Sequence, residues 1–377
     1  MAATDHESLN RRDNSTLKSI KSYKVIIPII LGFMVIGYLL WKQFDWNELN
    51  KIEWKFSVLV WLGIAVLIFA LRHLVLAWRL RLLSEKFFSF RKSVELIFIW
   101  EFASAVSPTS IGGTAVALFF LSQEKLKSSK AITIILYSIV VDSAFFILSF
   151  PLLLILVGPG IIGPDAISFQ SLGNYAYSFF IVMGIMFSYA AFIFYGLFID
   201  PDKIKALICF FGRIKWFSKY KKYLRKTGDG IISASYELSH KNLWYHVKVL
   251  TATSLAWFMR FAVVNAIIIA LISTIKTDLF NQTLLYGRNQ NMYIQTAFAP
   301  SPGASGFSEI MFGGLYADFV PVGVALLIAI IWRLITYYSY LFAGVIVVPN
   351  WIRKLILRRN RKKQETMILP ERTADND

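Results

Sequence analysis

Glu101-Phe-Ala-Ser-Ala-Val-Ser-Pro108-Thr-Ser-Ile-Gly112 and Gln295-Thr-Ala-Phe-Ala-Pro-Ser-Pro302-Gly-Ala-Ser-Gly306 are two copies of one pattern. Each has Ser-Pro, a Gly four residues after the Pro, and a Glu or Gln seven residues before it. Each also sits inside an otherwise apolar run, Val94–Leu121 and Asn291–Gly314. Proline removes a helical hydrogen bond and clashes with the preceding turn. The two runs therefore predict helices that break within apolar surroundings.

Outward from these breaks the chain is a succession of uninterrupted apolar runs: Val25–Trp41, Phe56–Trp78, Ala131–Val157, Asn174–Ile199, His246–Ser273 and Val320–Val348. About 20 apolar residues cross a bilayer core, so six spans are expected. Apolar residues make up 56% of the 377 and charged ones 17%, below the roughly 25% charged of soluble domains. Val25–Trp41 follows a basic stretch as a signal peptide would. Trp41-Lys42-Gln43 follows it and no small-x-small site does, so it reads as a retained anchor.

Charge decides whether the broken helices cross. If both dip and return and the N-terminus is inside, segments 1–24, 79–93, 122–130, 200–245 and 349–377 are cytoplasmic. They hold 31 of the 40 Lys and Arg residues, against 5 in the outside segments 42–55, 158–173 and 274–290. A full crossing by Val94–Leu121 would put the basic loop 200–245 outside and the cation-free loop 158–173 inside, against the positive-inside rule.

The expected fold is thus an all-α polytopic membrane protein. Three spans plus one re-entrant broken helix form each half, and an odd number of spans turns the second half upside down, an inverted repeat. The parts are a tail (1–24), a transmembrane domain (25–350) with halves 25–157 and 174–348 and a basic linker 200–245, and a basic tail (351–377). Gly228-Asp-Gly230 is expected to break the linker before an interfacial helix Ile231–Tyr245. Both termini are expected to be cytoplasmic, in a bacterial inner membrane.

The formal charge of +17 comes from loops between apolar runs, with no nucleic-acid motif. Anionic headgroups at the cytoplasmic face are the expected partners of Lys219, Lys221, Lys222, Arg225, Lys226 and the C-terminal cations. Cys209 is alone and the four His are scattered, so neither a disulfide framework nor a metal site is expected. No cofactor fingerprint appears, and no catalytic residue is assigned. An oligomer is left open.

Of the ionisable residues inside apolar segments, five stand out: Glu101, Asp142, Arg260, Glu309 and Arg333. Each costs several kcal/mol in the membrane unless paired or wet, about 2.5–3.5 at the lower estimates. Asp142 and Arg333 lie at similar distances beyond their prolines, so an Asp142–Arg333 pair is expected. It would fix helix register if it did nothing else. Arg72 and Arg79, beside Trp78, read as cations snorkelling to the interface.

After each Pro a new helix starts near mid-membrane, its free N–H groups and positive dipole end facing inward, which suits an anion. Ser107, Pro108, Thr109, Ser110, Gly112 and Gly113 would line the first break; Ser301, Pro302, Gly303, Ser305 and Gly306 the second. Arg260 and Arg333 would add phosphate-matching forks. The glycines also admit a plain reading, close helix packing.

Pro300-Ser-Pro-Gly303-Ala-Ser-Gly306-Phe-Ser-Glu309 and Trp332-Arg333-Leu-Ile-Thr336-Tyr337-Tyr338 resemble motifs of the transmembrane domain of lysyl-phosphatidylglycerol synthases, as does the placing of Asp142. The likeness runs over about residues 25 to 350. It implies a flippase-like domain without the soluble aminoacyl-transfer domain, and a substrate site that includes Pro302, Glu309 and Tyr337. Gly112-Gly113 stands where the family has Gly-Glu, and Ser138-Ile139 where it has Glu-Arg.

The expected function is a flippase or transporter moving an anionic phospho- or aminoacyl-phospholipid headgroup between leaflets. The alternatives are a membrane-embedded transferase acting on a lipid-phosphate carrier, with Asp200 and Asp202 as its carboxylates, and an accessory membrane subunit. Asp200-Pro201-Asp202 also reads as a helix stop.

Overall fold

The computed structural model describes residues 55–107, 110–166, 168, 175–213, 221–297, 299 and 301–368. The anchor Val25–Trp41 and Pro108 lie outside them. The architecture is all-helical, and five helices are long and apolar enough to cross a bilayer: Phe56–Leu83, Ser128–Val157, Ala176–Phe198, Leu243–Leu271 and Gly323–Arg358. The protein is a multi-pass membrane protein.

In chain order the helices are α1 (Phe56–Leu83), α2 (Phe90–Val106), α3 (Ser110–Gln123), α4 (Ser128–Val157), α5 (Tyr175–Phe198), α6 (Pro201–Phe211), α7 (Lys221–Ser239), α8 (Leu243–Leu271), α9 (Leu279–Thr296), α10 (Phe307–Leu315), α11 (Val322–Arg333) and α12 (Ser339–Ile368). A π-helical turn, Leu334–Tyr338, joins α11 to α12.

Helices α1 and α8 pack along their lengths and form the spine. Ala65 and Ala77 on α1 and Ala252, Ala256 and Ala266 on α8 are buried. Small side chains let backbones approach closely, and in lipid that contact drives helix association. Around this spine the outer faces stay apolar: α5 exposes Tyr177, Phe180, Ile181, Ile185 and Phe187, as a lipid-facing helix should.

The expected breaks occur. Helix α2 ends at Val106, with Ser107 extended after it, and α3 begins at Ser110, the two packing as a hairpin. Gly113 makes this approach tight: a Cβ there would lie 2.1 Å from the Ser104 hydroxyl oxygen. Helix α9 ends at Thr296, a short 3-10 turn follows at Pro302–Ala304, and α10 starts at Phe307. Helix α3 has 14 residues and α10 nine, giving about 21 and 14 Å, short of the ~30 Å core.

Ion pairs gather the basic loops at one end of the bundle. Glu85, just after α1, binds Lys130 at the start of α4 and Lys241 before α8, while Lys130 also binds Glu237 of α7. Nearby, Glu124 after α3 accepts from Lys92 of α2 and from Trp351 and Arg358 of α12. At the opposite end Arg288 of α9 bridges Asp318 and the carbonyls of Gly160 and Leu315.

Two expectations about elements need correction. Gly228-Asp-Gly230 does not break the linker; α7 runs through it. Segment 274–290 is not a simple loop, because α9 begins at Leu279, capped by Asp278. Its four successive residues Arg288, Asn289, Gln290 and Asn291 are all buried.

Candidate functional site

Between α1, α2, α4, α8, α9 and the second break lies a cavity of about 550 Å³. That is within the range of roughly 300–1,000 Å³ usual for ligand sites. On α1 its wall runs from Phe69 to Leu83, about 20 Å along the helix. On α5 the wall includes Ile185 and Tyr189, which are 51% and 48% exposed. The cavity therefore reaches the lipid-facing belt.

Four arginines line it: Arg72, Arg79, Arg260 and Arg333. Three have acid partners. Arg72 donates to Glu101 at 3.0 Å and to the Tyr340 hydroxyl at 3.1 Å. Arg79 donates to Asp142 at 2.8 Å and to the Ser138 carbonyl at 3.1 Å. Arg333 Nε donates to Glu309 at 2.9 Å, with the two side chains 5% and 1% exposed.

These contacts overturn two expectations. Asp142 and Arg333 do not pair; Asp142 is held by Arg79 and by the Trp257 indole at 2.9 Å. Similar distance beyond a proline does not fix the helix faces that Asp142 and Arg333 occupy. Nor do Arg72 and Arg79 snorkel: both are buried. They are seven residues apart, two helical turns, so one face of α1 carries both into the interior.

Arg333, expected as a phosphate donor, is held by more than Glu309, while its Nη2 has no hydrogen-bond partner among the described residues. Its Nη1 donates to the Gly303 carbonyl at 2.6 Å. Glu309 in turn accepts from the Gly306 backbone N–H at 2.7 Å. The pair thus braces a turn whose Gly303, Ala304 and Gly306 have φ of 58°, 56° and 85°, left-handed values that glycine adopts most readily. A Cβ on Gly303 would lie 2.1 Å from the Tyr337 ring. Tyr337 then donates to the Ala105 carbonyl of α2 at 3.1 Å, tying the second break to the end of the first.

Arg260 differs from the other three. Among the described residues it makes no ion pair. Its guanidinium stacks over Tyr293 at 4.9 Å and Trp257 at 5.6 Å, contacts worth about 0.5–2 kcal/mol. Phe146, 4.8 Å from Trp257 and stacked on Tyr293 at 5.6 Å, backs this aromatic platform.

Of the other expected site residues, Ser107 and Gly303 line the cavity, together with Ser301. Ser305 accepts from the Ser301 hydroxyl through its carbonyl at 2.8 Å. Pro302 opens the 3-10 turn, and Ser110 and Gly112 fall in the first turn of α3. Gly113 packs against Ser104 and is not in the cavity wall. Asp200 caps α6 and binds Lys203 at 2.9 Å, as a helix stop does.

This combination defines a class: a multi-pass helical membrane protein with a charged cavity between two broken helices. The chain belongs to the family described as the lysylphosphatidylglycerol synthase TM region, whose sequence profile matches residues 25–344. It is 26% identical over 339 residues to a UPF0104 membrane protein of Archaeoglobus fulgidus, covering 86% of this chain and 94% of that relative. No solved structure matches.

Proposed function

We propose that the protein moves an anionic lipid headgroup across the membrane, and that the headgroup's phosphate binds at Arg260 between the two breaks. The observation that carries this is a cavity-lining guanidinium that makes no ion pair among the described residues and stacks on aromatic rings instead. Arg260 is half-buried; a charge held in a membrane cavity without a counter-ion is costly, and a phosphate would offset it with charge-assisted hydrogen bonds. The exposed wall residues Ile185 and Tyr189 favour a membrane-borne ligand, whose chains can stay in lipid while its headgroup enters.

In this reading the α2–α3 hairpin and the α9–α10 segment are re-entrant limbs of an inverted repeat. The short α3 and α10 support that arrangement. The end holding Glu85, Lys130 and Lys241 faces the cytoplasm, supported by its basic loops. Residues Ser107, Asp142, Ser301, Gly303 and Tyr337 form the binding wall, and the Glu309–Arg333 pair holds its shape. Asp200 is occupied in capping α6, which weakens the alternative of a transferase.

The test is a headgroup-accessibility assay in reconstituted vesicles with a panel of lipids. Anionic phospholipids should exchange leaflets faster with protein than without, and zwitterionic ones should gain less. Equal acceleration of both classes would refute an anion-selective site.

A further inference from the structure

We infer that the cavity admits one negative charge, so that its ligand is a phosphodiester monoanion and not a phosphomonoester dianion. This rests on the anion site proposed above and narrows its substrate class.

The inference follows from the balance of charges in the wall. Four arginines line the cavity, and Glu101, Asp142 and Glu309 each neutralise one of them. Among the described residues no lysine or histidine lines it. Among the described residues Arg260 is the one arginine of the wall left over, for a formal balance of one positive charge.

The carboxylates sharpen the limit. Asp142 uses one oxygen, Oδ1, for both Arg79 and Trp257, and Glu101 uses Oε1 for Arg72. Their second oxygens accept no hydrogen bond among the described residues, and the two side chains keep 30% and 21% exposure. A ligand's first negative charge meets Arg260. A second would meet carboxylate oxygens and, among the described residues, no unpaired cation, in surroundings where an unpaired charge is strongly disfavoured.

A phosphodiester carries one charge at any pH near neutrality. A phosphomonoester has a second pKa of about 6, so it is largely monoanionic at pH 5.5 and dianionic at pH 8. At pH 8 on the order of 1% remains monoanionic. If only that form binds, apparent monoester affinity falls by up to about 100-fold relative to the fully monoanionic limit.

The experiment uses the full chain in nanodiscs of zwitterionic lipid, with displacement of a fluorescent phosphatidylglycerol as readout. Competitors are phosphatidylglycerol, phosphatidic acid of the same chains, and the deacylated glycerophosphoglycerol headgroup, each at pH 5.5 and pH 8. The expected result is a flat profile for the diester and a loss of more than tenfold for the monoester on going to pH 8. Glu101→Gln leaves Arg72 uncompensated and should restore monoester binding at pH 8; Asp142→Asn makes the same prediction through Arg79 if the first variant does not fold.

Monoester binding as tight at pH 8 as at pH 5.5 in the wild type would overturn the one-charge limit while leaving the anion site standing. Displacement by the deacylated headgroup as strong as by the lipid, with the same pH profile, would keep the limit and assign the site to a soluble phosphodiester. If no competitor displaces the probe, or if Arg260→Gln binds the probe as the wild type does, the anion site itself fails.

Discussion

Arg333 and Arg260 are both arginines in the same cavity wall, yet their surroundings assign them different work. Arg333 is locked to Glu309 and to the Gly303 carbonyl, so it shapes the break. Removing one member of such a pair leaves a buried charge unmatched, at about 3–5 kcal/mol. Glu309→Gln should therefore lower thermal stability by that amount, and adding Arg333→Gln should recover part of it. The same Arg333→Gln change should recover nothing in an Asp142→Asn background, because Asp142 belongs to Arg79. Thermal unfolding of the two double variants in one detergent checks both statements, and rescue of Asp142→Asn would revive the rejected pairing. At this scale the sequence showed some of the interior ions, such as Glu309 and Arg333, but not all of them and not who pairs with whom. An acid in an apolar run announces burial by its cost, whereas partners depend on helix rotation. Arg72 and Arg79 were misread because Trp78 beside them signals an interface; their seven-residue spacing was the available clue.

Elements were legible where their pattern was apolar and continuous, and less so where polar residues are buried. Five of the six expected spans appear, and the sixth lies outside the described residues. Helix α9 escaped because Arg288, Asn289, Gln290 and Asn291 look like a loop. They are interior because each side chain finds a specific acceptor, such as Asp318, Phe261 and Ile162. Gly228 and Gly230 misled in the other direction. They lie within α7 where a Cβ would sit 2.8 Å from Lys205 and 2.4 Å from Ile132, so they serve contact and not a break. The end of α1 is fixed to α4 and the α7–α8 loop through Glu85. Burial raises its carboxyl, but Lys130 and Lys241 outweigh that and bring it from 4.5 down to about 2. A depressed carboxylate stabilises the fold above its unfolded pKa, and that gain is lost as pH falls from about 4.5 to about 2. Glu85 is partly solvated, so the effect is a fraction of a buried pair's. Wild type should lose more thermal stability across that window than Glu85→Gln, and parallel curves for the two would contradict this.

On the scale of the whole molecule, Arg79 was counted with the basic loops and Arg288 with the outside, yet both are interior. Among the described loop cations, Lys92, Lys130, Lys241 and Arg358 still gather at one end, on Glu85 and Glu124. The proposed orientation predicts that in a Cys209→Ser background, Lys127→Cys and Ser233→Cys are labelled only from the cytoplasm and Ser168→Cys only from outside. Labelling of Lys127→Cys from outside would overturn the topology.

The central claim is that a lipid phosphate crosses by way of Arg260. It is tested most directly by comparing wild type with Arg260→Gln in the same vesicles, measuring both the flipping rate of an anionic lipid and the fraction of folded protein. Stacking on Tyr293 and Trp257 contributes about 0.5–2 kcal/mol, so the variant should remain folded. Charge-assisted contacts to phosphate are roughly twice as strong as neutral ones, so flipping per folded molecule should fall about tenfold or more. Wild-type flipping by folded Arg260→Gln protein would contradict the account.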